Sequence, residues 1–363
     1  MTATIDRPEA PDVGSGFPTI ASRVRDWAAS NPNGIAMREK DFGIWQEHTW
    51  ERTWDDVVTA AHGLLALGVG VGDVVSIHSE DRPEWVTLDL AAVAIRAITT
   101  GLYPTNPMAE VAYLLNDSGA KVHFAEDQEQ VDKVVEAGPD AFPNVTSILY
   151  VEPRGLTTYE DPRLMFWDDF VELGRRHRAE HPGAVERHMA EATADDIITL
   201  VYTSGTTGPP KGAMLTNTNA TFCIDMVVNT DGRVAGDVKP NPSDEILTYL
   251  PLCHVAERIF STWTMVGNGV TLNFAESIDT VQANLREVQP TLFFAVPRIW
   301  EKIHATVLIK LQDATRFKRV IANLGLKLAD VVGRERTANG GHHTFKSRVA
   351  YFVGNPLFFR SLK

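Results

Sequence analysis

Cysteine is nearly absent: Cys223 and Cys253 are the only two in 363 residues. Two thiols cannot build the disulfide framework of a small secreted scaffold, so a reducing, cytoplasmic setting is expected. Long apolar runs are missing as well. The best candidate, LDLAAVAIRAI (88–98), is short and carries Asp89 and Arg96, well below the uncharged length of a membrane span. The opening MTATIDRPEAPDVGSGFP lacks a basic segment followed by an apolar one, so 1–17 reads as a flexible tail and not as a signal peptide. Metal motifs are wanting too. His177 and His181 could share a helix face, but Pro182 ends that helix and no HExxH pattern or cysteine accompanies them. With His188, they read as a solvated helix end, and GGHHTF (340–345) reads as a loop.

Positive charge is scarce overall. A formal net charge of −13 argues against a nucleic-acid binder. The distribution is uneven, however: residues 301–363 hold 12 Lys/Arg against 4 Asp/Glu, a net of +8, which leaves −21 for residues 1–300. Here Ile299, Ile303, Val307, Leu311, Ala314, Phe317, Ile321, Leu324 and Leu328 recur every three or four residues, predicting one long apolar stripe. Lys302, Lys310, Arg316, Arg319 and Lys327 fall elsewhere on the wheel. A helical cover with a solvated basic face is expected, and peripheral contact of 301–363 with an anionic membrane is the sharper alternative.

What is present is ordinary globular material, 44% hydrophobic and 22% charged, in a chain long enough for two or more packed units. From residue 50 to 151 the pattern alternates between helix and strand. TWDDVVTAAHGLLALGV is helical with Thr53 as N-cap and Gly68 as stop, and DVVSIHS is a strand. RPEWVTLDLAAVAIRAI is a helix opened by Pro83. PMAEVAYLLNDSG and QEQVDKVVEAG are helices; AKVHFAE and VTSILYVE are strands. Such alternation predicts a doubly wound α/β sheet covered on both faces. LGVGVGD (67–73) is a turn, because its glycine spacing and its helix-to-strand context are wrong for a dinucleotide loop. Residues 152–192 are polar and read as a charged helical connector.

A second block opens at Asp196. IITLVYTS and GAMLT read as strands on either side of a loop, and Asn217, Thr218 and Asn219 offer caps for the helix ATFCIDMVVNT. EILTYLPL (strand), CHVAERIFSTWTMVGNG (helix), GVTLNFAE (strand), IDTVQANLREVQ (helix) and TLFFAV (strand) follow, then a long helical stretch from Pro297.

The loop itself, LVYTSGTTGPPKGAMLTN (200–217), has the composition of a phosphate cradle. Gly205 and Gly208 free the backbone to turn N–H groups inward, Thr203, Ser204, Thr206 and Thr207 add hydroxyls, and Lys211 adds a point charge. A Walker loop is excluded: Pro210 stands where its second glycine belongs, and Gly212 follows the lysine instead of Ser or Thr. A polyphosphate tail such as that of ATP, or pyrophosphate as it leaves, suits this loop. Cys253 beside His254 lies in an apolar run and reads as a packed cysteine, not a nucleophile.

Residues 200–211 resemble the signature of the AMP-forming adenylate enzymes, the group of acyl-CoA synthetases and peptide-synthetase adenylation domains. TTGLYPTNPMAEVAYLLNDSGAKVHFAED (99–127) and YLPLCHVAERI (249–259) resemble further parts of that family, and VPRIWEKI (296–303) is most similar to long-chain fatty acyl-CoA synthetases. The likeness covers nearly all of 18–363. It implies an α/β fold: the large N-terminal domain of the acyl-CoA synthetase type, with stacked doubly wound sheets and helices. Within 18–363 it implies a first α/β unit (18–151), the connector (152–192), a phosphate-loop α/β unit (193–296) and the basic helical region (297–363).

The resemblance also implies a reaction. A fatty acid carboxylate attacks the α-phosphorus of MgATP, giving acyl-AMP and pyrophosphate, and coenzyme A then displaces AMP. ATP, Mg2+ and coenzyme A are therefore expected, with a fatty acid as substrate. By the same resemblance Thr203, Ser204, Gly205, Thr206, Thr207, Gly208 and Lys211 hold the phosphates, and Thr203 is a magnesium ligand. His254, beside the carboxylate, and Lys211 are the catalytic candidates. The family's Y-G-x-T-E motif, its ribose-binding aspartate and its small lysine-bearing C-terminal domain are not found in this sequence. The chain is thus expected to be the N-terminal portion of such an enzyme, weak or inactive alone. A fatty acyl-AMP ligase that loads a carrier protein, or a non-catalytic nucleotide- or acyl-binding module, are the alternatives.

Overall fold

The computed structural model describes residues 18–203, 208–229, 239–313 and 315–361, with the backbone alone at 227–229 and 361. The stretch read as a tail, 1–17, lies outside the described residues. The chain divides into two compact units, Met1–Leu292 and Phe293–Lys363.

Among the described residues of the first unit, eleven strands form two sheets. They are β1 (Ile35–Asp41), β2 (Ile44–Thr49), β3 (Val74–His78), β4 (Ile98–Leu102), β5 (Ala120–Ala125), β6 (Ser147–Tyr150), β7 (Leu164–Phe166), β8 (Ile197–Thr203), β9 (Lys211–Thr216), β10 (Glu245–Thr248) and β11 (Thr271–Phe274). The larger sheet runs β7-β6-β5-β3-β4-β8-β9, parallel except for the antiparallel β8/β9 pair. The smaller runs β10-β11-β1-β2, with β2 antiparallel at its edge. All five residues of β3 are buried, as a central parallel strand covered on both faces requires. Chain order reverses around β3: β4 lies on one side of it and β5 on the other. In open α/β sheets such a reversal leaves a crevice at the carboxyl ends of the strands.

Local chemistry sets the helix ends. Pro83 occupies the first turn of Pro83–Ala94, a helix buried at every position but Glu84. Gly119 closes Met108–Ser118 in the left-handed conformation, and the Asp127 carboxylate accepts the Glu129 and Gln130 amides at the start of Gln128–Val135.

Four expectations are corrected. The N-cap of Trp50–Ala66 is Thr49, whose hydroxyl accepts the Arg52 amide, while Thr53 is buried within the helix. The connector 152–192 is not wholly helical: Leu164–Phe166 extends the parallel sheet as β7, pairing with β6. Its helix Trp167–Glu180 packs on Trp50–Ala66, so His177 is half-buried, 2.9 Å from the buried His62 between Nδ1 atoms, and not fully solvated. No group of three or more His, Cys, Asp or Glu is placed to hold a metal among the described residues. TLFFAV forms only a single bridge, Leu292 to Ile246, in place of a strand.

The fourth correction concerns the second unit. The long stripe is broken, with helices at Pro297–Gln312, Arg316–Ala338 and Phe345–Leu357. The first helix ends at Gln312 and the next begins at Arg316; Phe317 and Leu324 are exposed, and Ala314 lies outside the described residues. Small residues, not the stripe, make the close contacts: a side chain at Gly325 would collide with the Phe358 ring. GGHHTF is a loop as expected, and Thr344 caps the last helix.

Candidate functional site

β8 and β9 form the hairpin that presents the loop. Thr203 pairs with Lys211 at its open end, so the hydroxyl and the ammonium flank the loop from opposite strands. Ser204, Gly205, Thr206 and Thr207 lie outside the described residues. Gly208 sits at φ +93°, a conformation that disfavours any side chain, although nothing lies within 4 Å of where a Cβ would be. The helix Met108–Ser118 steadies the loop's base: Tyr113 Oη donates to the Pro210 carbonyl at 2.8 Å, and Tyr202 Oη donates to Asp117 Oδ2 at 2.7 Å. Burial, together with that aspartate, pushes the Tyr202 hydroxyl above its ordinary range, so it stays a neutral donor. Lys211 is exposed and forms no ion pair among the described residues. An unpaired ammonium at the mouth of a loop fits an anionic ligand.

A cavity of about 290 Å³ opens at the carboxyl ends of β4 and β8. Thr203, Tyr103, Asn106, Glu110, Cys253 and His254 are among its lining residues. The cavity thus unites two of the residues singled out in the sequence, Thr203 and His254. Lys211 is paired with Thr203 but is not part of the lining. Asn106 is 7% exposed, and its Oδ1 has no hydrogen-bond partner among the described residues.

His254 is held by local geometry. It caps the helix Val255–Arg258, its Nδ1 accepting the Ala256 amide at 3.1 Å. That bond leaves Nε2 as the N–H donor of a neutral ring. Its turn rests directly on β4: a Cβ at Gly101 would lie 2.7 Å from the Cys253 Cα, so only glycine permits the approach. Cys253 is buried, and burial pushes its thiol up, which agrees with a packed cysteine and not a nucleophile.

Beneath this turn lie groups the sequence reading missed. Asp81 Oδ1 accepts the Leu252 amide at 2.8 Å, and Glu257 is 3% exposed, its Oε2 unpartnered. Burial raises both carboxyls, Asp81 well above its usual value and Glu257 to about 9, the latter also through the nearby Asp81. Glu257 therefore favours the neutral form near pH 7. Arg258 and Asp89 form a buried pair in the same region. The available signal was an isolated charge inside an apolar helix, Asp89 in LDLAAVAIRAI and Arg258 in HVAERIF.

At the open end of the hairpin lie a lysine unpaired among the described residues, a threonine hydroxyl and a left-handed glycine, groups whose chemistry suits a phosphate. For magnesium, Thr203 supplies one hard oxygen, and such sites draw most of their remaining ligands from substrate phosphates and water.

Comparison with known proteins agrees with this layout. Residues 24–356 match the family described as AMP-binding enzyme. The long-chain-fatty-acid–CoA ligase ACSBG2 of Rattus norvegicus is 31% identical over 279 residues, 75% of this chain and 40% of that protein. The long-chain-fatty-acid–CoA ligase FadD15 of Mycobacterium tuberculosis is 31% identical over 79% of this chain and 45% of its own length. The chain therefore spans less than half the length of these relatives. Among solved structures, the inhibitor-bound N-terminal domain of FACL13 from Mycobacterium tuberculosis aligns with a TM-score of 0.61 at 24% identity, covering 78% of this chain and 64% of that one. ATP-bound MatB from Rhodopseudomonas palustris aligns equally, at 19% identity over 78% of this chain and 50% of that one. These two likenesses show the fold, that of the N-terminal domain of acyl-CoA synthetases. From the match over 24–356, the chain belongs to the AMP-binding enzyme family.

Proposed function

We propose that this chain carries the phosphate-holding and acyl-holding walls of an enzyme that activates a long-chain fatty acid with ATP, first to acyl-AMP and then to acyl-CoA. The observation that carries the reading is that Thr203 and His254, far apart in sequence, line one cavity, while the unpaired Lys211 stands across the ladder from Thr203. The names of the relatives support the substrate class.

The chemistry asks little covalent work of the protein. Phosphoryl and adenylyl transfer need positioning and charge neutralisation. Lys211 would neutralise the pyrophosphate leaving group, the loop hydroxyls would donate to its oxygens, and His254 Nε2–H would donate to the acyl carboxylate. Bound magnesium would neutralise phosphate charge, with Thr203 as its protein ligand. Palmitate-dependent incorporation of labelled pyrophosphate into ATP, measured with the longer enzyme of which this chain is expected to be the N-terminal portion, tests the first step. Exchange that requires the fatty acid is the expected result; exchange without it contradicts the reading. Offering coenzyme A and an acyl carrier protein as competing acceptors tests the second, with acyl-CoA as the expected product.

We also propose that the basic unit contacts anionic lipid. Phe345 and Phe352 are 85% and 81% exposed on Phe345–Leu357, whose opposite face, at Ser347, Ala350 and Gly354, is buried. The exposed Lys346 and Arg348 sit beside them. No helix among the described residues is long and apolar enough to cross a membrane, so contact would be interfacial.

A further inference from the structure

Arg258 and Asp89 are 1% and 2% exposed, a full charge pair inside an apolar core. Arg258 Nη2 donates to both Asp89 oxygens at 2.5 and 2.6 Å, and the guanidinium lies 5.2 Å and 5.9 Å from the ring centroids of Trp85 and Trp263. Desolvating two charges is costly, and an apolar pair of similar volume commonly serves stability as well or better. Stability is therefore a poor account of this pair, whereas geometry gives a fuller one.

The contacts reach three of the elements that line the cavity. Arg258 ends the short helix that His254 caps, so its position sets that of the imidazole. Its other amino group, Nη1, donates to Thr199 Oγ1 at 2.6 Å, four residues before Thr203 in β8. Asp89 accepts from Thr99 Oγ1 at 2.6 Å, two residues before Gly101 in β4. Thr199 Oγ1 donates in turn to the Thr99 carbonyl at 3.0 Å, locking the two strands together. A guanidinium fork has fixed bond directions, so this set of bonds fixes distance and angle together. Beyond Arg258 the chain widens into a π-turn, Ile259–Trp263, a feature often found where helices serve a site.

We infer that the Arg258–Asp89 pair is a positioning device that holds His254 in register with Thr203 across the cavity. Its consequence for catalysis rests on the adenylation reading; its geometry does not. Arg258 acts through the helix and touches no substrate.

Two variants test this in the 363-residue chain. Replacing the pair together, Asp89→Leu with Arg258→Met, leaves no unpaired charge, and Arg258→Lys keeps the charge but loses the fork. In both, amides of 200–203 and 253–257 are expected to exchange hydrogen about tenfold faster at nearly unchanged melting temperature. Affinity for palmitoyl sulfamoyl-adenosine, a stable mimic of the acyl-adenylate spanning both walls, is expected to fall about tenfold, against less than about twofold for magnesium pyrophosphate. A folded variant whose two segments exchange at wild-type rates overturns the inference, as does an equal loss of both affinities. Should the double variant not fold, Arg258→Lys gives the same readings. If the unaltered chain binds neither probe, the adenylation reading fails, and the exchange rates alone decide the positioning role.

Discussion

Thr203 and Lys211 stand opposite each other on β8 and β9, the last paired residues before the glycine loop. In the proposed site, a short antiparallel ladder would do what a helix N-terminus does in other phosphate sites: fix the donors at the loop's two ends. The lysine charge, not a helix dipole, is then the fixed positive element.

The observed cap of His254 and its proposed chemical role are separated by two substitutions. His254→Ala removes the cap and is expected to lower stability by about 1 kcal/mol. His254→Asn restores a capping side chain and returns most of that stability. Both lack the imidazole N–H, so both are expected to bind palmitoyl sulfamoyl-adenosine more weakly than the unaltered chain. Full binding by the asparagine variant would remove His254 from the acyl site; thermal melts and calorimetric titrations supply the two readings.

Glu257 makes stability depend on pH in a defined direction. Its folded value, about 9, lies above the ordinary 4.5, so between these limits the folded chain holds a proton that the unfolded chain releases. The favourable contribution is complete below the unfolded value and is lost as pH rises through the folded one, by up to about 1.4 kcal/mol per pH unit at its steepest. Asp81, raised for the same reason, acts with the same sign. Melting temperatures of the unaltered chain and Glu257→Gln, compared at pH 6 and pH 8.5, are expected to diverge in favour of the glutamine variant at the higher pH. Parallel pH profiles would show that Glu257 is not held neutral.

Lipid contact is tested by sedimentation with vesicles. Binding to phosphatidylglycerol vesicles is expected to exceed binding to phosphatidylcholine, to weaken as salt rises, and to drop when Phe345 and Phe352 are changed to serine. Equal binding to both lipids, or binding that survives high salt and replacement of Lys346 and Arg348 by glutamine, would rule out the electrostatic part.

The larger sheet was legible in the sequence at β3, β5 and β6, which are apolar runs between clear helical patterns, one of them opened by Pro83. The loop's hairpin was legible for the same reason. β4 was not: the apolar helix pattern runs on through Ile98, but that helix ends at Ala94 and Ile98 opens the strand. Nor were β1 and β2. IAMREKD and IWQEHT are largely polar, and their place depends on β11, whose Leu272 pairs with Met37 across more than two hundred residues. Their tight turn also lacks the usual signal, since Phe42 takes a positive φ beside Gly43. At the site, Thr203, Lys211 and His254 could be named from local pattern. Asp89, Arg258, Asp81 and Glu257 could not be joined, because their meaning lies in contacts between elements that the sequence keeps apart.

The central claim is that this hairpin and loop hold a polyphosphate. Calorimetric titration of the chain with magnesium pyrophosphate, repeated with Lys211→Ala, tests it most directly. Lys211 is exposed and outside the core, so the variant is expected to fold normally. The account predicts saturable binding that weakens about tenfold or more on losing the ammonium, a change of about 1.4 kcal/mol. No binding by the unaltered chain, or equal affinity in the variant, would contradict it.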